Sequence, residues 1–190
     1  MSRLALRVVG VAAVIALLGV GSYAVAGGGS KNFEGNPLNG YEENPDISTV
    51  ASGAFSARLS DDGQSIHYRL SYQGLEGAVT QSHVHFGKPA INGGISFWLC
   101  ETAAVQSPVA STPTCPSPGG TVEGDITAAD VIGPLGQGIE PGSLAEILAA
   151  MRAGHAYANV HSTKWPGGEI RAQLDNSGGG GGGIATGGNS

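Results

Sequence analysis

Basic residues are scarce in this chain. Nine Lys and Arg stand against fifteen Asp and Glu in 190 residues. Two of the nine, Arg3 and Arg7, lie in an N-terminal segment that reads as a leader; without it seven basic residues face fifteen acidic ones, a net charge of about −8. Such a surface repels phosphate backbones and anionic headgroups, which excludes nucleic acid and an anionic membrane surface as partners. There are only two cysteines, Cys100 and Cys115, and they are too far apart for the usual zinc or redox motifs. There is no Gly-x-Ser-x-Gly elbow, P-loop or dinucleotide fingerprint, and the Gly runs near both ends lack the strand before and helix after that such loops need. None of the fifteen acids is singled out as a glycosidase pair.

What is present begins with an apolar run. Val8 to Val20 follows Arg3 and Arg7, and Ala24-Val25-Ala26 fits the small-x-small cleavage rule, so residues 1–26 read as a signal peptide. The uncharged stretch from Val8 to Ala26 is also long enough to span a bilayer if left uncut, so a retained N-terminal membrane anchor is the alternative. Either way the body of the protein is expected outside the cytoplasm, and membrane contact only through an uncleaved leader. Residues 27–31 read as a flexible linker and the Gly-rich residues 177–190 as a disordered tail. Residues 32–176 have the size of one domain.

In an exported chain, Cys100 and Cys115 bracketing a Ser-, Thr- and Pro-rich loop read as a disulfide. The alternative, a pair of soft metal ligands, is disfavoured by their spacing. The domain reads mostly as short strands: Val50 to Leu59, Gln64 to Tyr72, Val79 to Phe86, Gly94 to Cys100, Gly120 to Ile126, His155 to His161 and Glu169 to Leu174. Asp62-Gly63 supplies the first hairpin turn. In the second strand Ile66, Tyr68, Leu70 and Tyr72 share one face, and His67 falls on the solvated one. Ser143 and Glu146 form a sequence capping box ahead of an amphipathic helix carrying Leu144, Ile147, Leu148 and Met151, which Gly154 stops. Thr127 to Asp130 reads as a second, shorter helix start. The expectation is an all-β antiparallel sandwich or partly open barrel of about seven or eight strands, with one short capping α-helix.

Within that frame, Ser82-His83-Val84-His85-Phe86-Gly87 carries the chemistry. Alternation puts His83 and His85 on one strand face, and His161 ends a similar run in which Tyr157, Asn159 and His161 share a face. If the strands adjoin, three neutral imidazoles converge, which suits zinc or copper with an open fourth position; Glu169 or Glu43 would orient a ring N–H. The competing reading is a polar clamp, in which the imidazoles pin strands together with Asn159, Gln81 or Glu169 as partners. Ring nitrogens within about 3 to 4 Å of a common point favour metal, and rings turned apart, each bonded to backbone or carboxylate, favour the clamp. Trp98 and Trp165 read as packing residues.

Leu38-Asn-Gly-Tyr-Glu-Glu43-Asn-Pro45, Thr49 to Gly53, Gly74-Leu75, Ser82 to His85, Gly120 to Gly124 with Ile126 to Asp130, and Ala153 to His161 through Pro166 to Arg171 resemble the CHRD domain, the module named for chordin. The likeness covers residues 38 to 174 in order. It implies an extracellular β-sandwich, places family histidines at His83, His85 and His161 and an acid at Glu43, and assigns no role to His155. The His-Val-His-Phe-Gly run also resembles the copper strand of copper/zinc superoxide dismutase, without that enzyme's zinc loop. The expected function is therefore a non-enzymatic binding or structural module, secreted or at the cell surface, whose partner is an extracellular protein or surface ligand. The alternative is a copper or zinc protein, handling metal or carrying out dismutase-like redox chemistry on His83, His85 and His161.

Overall fold

The structure, a computed structural model, describes residues 29–175. The leader expected at 1–26, the first two linker residues and the tail at 177–190 lie outside the described residues. Eight strands form two four-stranded antiparallel sheets: β1 (Asn32–Leu38), β2 (Ser52–Leu59), β3 (Ser65–Gln73) and β6 (Gly120–Thr127) in one, in the order β1-β2-β3-β6. The other holds β4 (Val79–Phe86), β5 (Gly94–Cys100), β7 (Ala156–Ser162) and β8 (Ile170–Gln173), in the order β5-β4-β7-β8. The sheets do not close into a barrel, so the sandwich is the correct member of the expected pair.

Period-two alternation builds the core. Phe55, Ile66, Tyr68, Leu70 and Val122 face inward from the first sheet, and Val84, Phe97, Leu99, Val160 and Ile170 from the second, all buried. Burying a side chain of this size contributes about 1.5–3 kcal/mol relative to leaving it exposed. Tyr68 lies across the interior, stacked on Phe55, and its hydroxyl donates to the Leu99 carbonyl at 2.5 Å, so the one polar atom it brings inside is satisfied. The β2–β3 turn is closed by Ser60 N–H to Ser65 O, with Gly63 at φ +73°. The Cys100–Cys115 disulfide is formed, across a separation of 15 residues.

The helix α1 (Leu144–Arg152) buries Leu144, Ile147, Leu148 and Met151 as its sequence stripe requires, and Gly154 ends it at φ +70°. The expected Ser143 cap does not form. The Glu146 N–H bonds to the Ser143 main-chain carbonyl at 3.1 Å, so the backbone satisfies the donor that the side chain would have served. At Thr127 the capping logic holds. The Asp130 carboxylate accepts from both the Thr127 N–H and hydroxyl at 2.8 Å, opening a short 3-10 turn, Ala128–Asp130.

One strand is unheralded. β1 pairs with β2 from Asn32↔Arg58 to Leu38↔Gly53, with a register shift between Gly35 and Leu38. Its C-terminal end leads into a 3-10 turn (Gly40–Glu42) held against β8 by reciprocal bonds between the Asn39 and Arg171 main chains at 3.1 and 3.0 Å. That docking sets Glu43 over the outer face of the second sheet. No helix of the described residues is long and apolar enough to cross a membrane.

Candidate metal centre

The outer face of the second sheet is polar in sequence and buried in structure. Every residue of β7 is buried, on both faces. Pairing of β4 with β7 sets Gln81 opposite His161, His83 opposite Asn159 and His85 opposite Tyr157. The β4–β5 ladder shifts register twice, between Ser82 and His83 and between Val84 and His85, so β5 carries an extra residue at each step and Trp98 lies beside His83. The three rings meet there. His83 and His85 have centroids 5.4 Å apart, and His83 and His161 5.0 Å apart. One nitrogen from each ring lies within 4.8 Å of one from each of the others. A point central to atoms so spaced is at most about 2.8 Å from each, an inward shift of well under 1 Å from metal-bond length.

The two nitrogens of each ring have different fates. His83 Nε2–H donates to Gln81 Oε1 at 3.1 Å, His85 Nδ1–H to the Gly93 carbonyl at 3.0 Å and His161 Nδ1–H to the Pro166 carbonyl at 2.9 Å. The acceptors cannot donate, so each fixes the proton on that nitrogen and leaves the other bare. The bare atoms are His83 Nδ1, His85 Nε2 and His161 Nε2, all buried and without a partner. Each such orphan costs roughly 1–3 kcal/mol if nothing meets it, and a bound cation would satisfy all three. Burial also keeps the rings neutral. Loss of solvation, then the neighbouring His161 and His85, pushes His83 down to about 2; loss of solvation lowers His85 to about 4 and pushes His161 down in the same direction.

The expected carboxylate partners are replaced. Glu169 is fully buried, but its Oε1 accepts from the Thr49 hydroxyl at 2.9 Å and the Glu76 N–H at 2.7 Å. Glu43 accepts from Asn159 Nδ2 at 2.5 Å. Burial raises the Glu43 carboxyl to about 7 against the opposing pull of Arg171 and Asn159. The ring N–H groups therefore go to two loop carbonyls and an amide oxygen. Gln81 shares the histidine face two residues before His83 and was legible as a partner. Gly93 and Pro166 were not, because any residue can present a carbonyl.

Around the rings the walls are aromatic. The Trp98 ring packs edge-on against His83 at 4.3 Å, and Tyr157 stacks parallel to His85 at 4.7 Å. The Arg171 guanidinium lies 3.4 Å from the Tyr157 ring centre. Two close approaches demand glycine. A Cβ on Gly93 would sit 1.8 Å from the Phe86 carbonyl, and one on Gly168, at φ +132°, would sit 2.7 Å from both Glu43 carboxylate oxygens. Gly93 thereby serves two side chains, its carbonyl holding His85 and its N–H donating to the Tyr157 hydroxyl at 3.1 Å. The remaining histidines stay apart: His67 and His155 are exposed, and His67 pairs with Asp125 at 3.0 Å on the opposite sheet. Trp165 is a half-buried loop residue with Lys164 over its ring.

The family model of the CHRD domain matches residues 35–174, most of the chain. No curated protein and no solved structure matches it.

Proposed function

Because the chain belongs to the CHRD family, we propose that it works outside the cytoplasm, at the cell surface or secreted, as a binding or structural module built around one copper or zinc ion. His83 would bind through Nδ1, and His85 and His161 through Nε2. The observation that supports this reading is the convergence of three buried, neutral imidazoles, each with one nitrogen tied to an acceptor and the other unpartnered. A clamp would tie strand to strand; here His83 bonds within its own strand, and His85 and His161 to loop carbonyls. The disulfide suits an oxidising compartment. Dismutase-like turnover is the weaker reading, since superoxide would have to reach an ion bound to nitrogens that have essentially no surface open to water.

Elemental analysis of dialysed protein purified without an affinity tag, alongside His83→Ala and His161→Ala, tests the proposal. Near-stoichiometric copper or zinc that disappears in both variants is the expected result. Protein that retains neither metal and takes up neither Cu(II) nor Zn(II) on titration would leave the polar clamp as the correct reading.

A further inference from the structure

The surroundings of the three nitrogens bear on which ion they take. All three are buried and meet no protein partner, so an ion seated between them is held away from bulk water. An ion seated there has three imidazole ligands, and no fourth His, Cys, Asp or Glu of the described residues joins them. All three ligands are neutral, and no carboxylate or thiolate of the described residues joins the cluster. Glu43 is held by Asn159, and Glu169 by Thr49 and the Glu76 main chain. A fixed charge on this face, Arg171, is positive and 1% exposed, one aromatic ring removed from His85.

The cost of holding an ion away from water rises with the square of its charge, so a divalent ion costs about four times a monovalent one in the same dry setting. Neutral imidazoles return less of that difference than carboxylates or thiolates would, and Arg171 adds to it. Coordination preference points the same way. Zinc takes four ligands in a tetrahedron, and Cu(II) a tetragonal set. Monovalent copper, with a filled d shell, is content with three nitrogen donors. Resting on the reading of His83, His85 and His161 as a metal centre, we infer that the ion it selects is Cu(I), held by the three buried imidazoles. The same preference raises the potential of the bound Cu(II)/Cu(I) couple above that of the free ions, because the reduced form is bound more tightly.

The test is a set of competition titrations on the metal-free protein, each ion against a chromophoric chelator of known affinity, with Cu(I) kept reduced by ascorbate, for the unaltered protein, His161→Ala and Arg171→Met. One equivalent of Cu(I) should bind at least about tenfold more tightly than Cu(II), equimolar Zn(II) should not displace it, and binding should vanish in His161→Ala. In Arg171→Met the gap between Cu(I) and Cu(II) should narrow. If that variant does not fold, as judged by its melting curve, the unaltered protein decides alone. Tighter binding of Zn(II) or Cu(II), still dependent on His161, would overturn the Cu(I) assignment and leave the metal centre standing. Failure to bind any of the three ions would remove both.

Discussion

The outer faces of the two sheets carry the same residue types and use them differently. On the first sheet His67 and Arg69 sit across from Asp125 and Glu123 in the β3–β6 ladder and meet them in the open, His67 through a hydrogen bond and Arg69 through an ion pair. On the second sheet His83, His85 and His161 occupy equivalent alternating positions but are 1%, 8% and 6% exposed, and no acid pairs with them. The difference lies in the cover. Loops bring Glu43, Gly93 and Pro166 onto the second face, and Asn44 ties two of these loops together through Ala90 and Asn92. Alternation decides which side chains share a face. Burial decides whether a histidine is a solvated partner or a neutral donor.

The comparison breaks most sharply in acid. The unfolded histidines protonate near pH 6.5, whereas native His85 and His83 stay neutral to about 4 and about 2. Below 6.5 the unfolded chain therefore binds protons that the native chain refuses, and stability falls with falling pH, by about 1.4 kcal/mol per pH unit for each buried histidine. Glu43 acts in the opposite sense. Its carboxyl rises from 4.5 to about 7 on folding, so the native chain keeps a proton that the unfolded one loses, and stability falls as pH rises through that window. Urea unfolding of the apo protein between pH 4.5 and 6.5 should give a steep acid-side loss that His83→Ala flattens and Glu43→Gln steepens.

The disulfide gives the next effect. Cys100 ends β5, two residues past Trp98, so replacing both cysteines by serine should cost about 3 kcal/mol in denaturant unfolding, and metal retention should weaken as the wall at Trp98 loosens. The first sheet has no such staple, and its ion pairs should be indifferent to reductant. Smaller is Gly168→Ala, which drives a Cβ into the Glu43 carboxylate and Asn159 amide; a loss of about 1–3 kcal/mol is expected, read as a lowered melting temperature. Smallest is Arg69→Ala on the exposed face, with a cost under about 1 kcal/mol that shrinks further in salt.

Much of this was legible in the sequence, for identifiable reasons. Strands β4 and β5 fall where alternation and turn residues put them, and the shared face of His83 and His85 follows from period two alone. The nearness of His161 depended on β7 pairing with β4, which stayed a condition because no local signal reports which strands adjoin. β1 was missed because Asn32 to Leu38 contains Gly35 and Pro37 and lacks a sustained apolar alternation; its pairing with β2 is a backbone matter. The Glu169 assignment followed strand parity, yet its carboxylate turns to Thr49 and the Glu76 main chain, contacts from distant loops that no periodicity reports. The burial of the second face had the same source, since its cover comes from loops.

The most direct measurement is ¹⁵N NMR of the histidine rings of the apo protein at neutral pH, before and after one equivalent of Cu(I) or, separately, Zn(II). Protons should reside on Nε2 of His83 and on Nδ1 of His85 and His161, and stay there, while the resonances of the three bare nitrogens move on addition of the ion and those of His67 and His155 do not. Protons found on the inward nitrogens, or ring signals indifferent to both ions, would contradict a metal centre on this face.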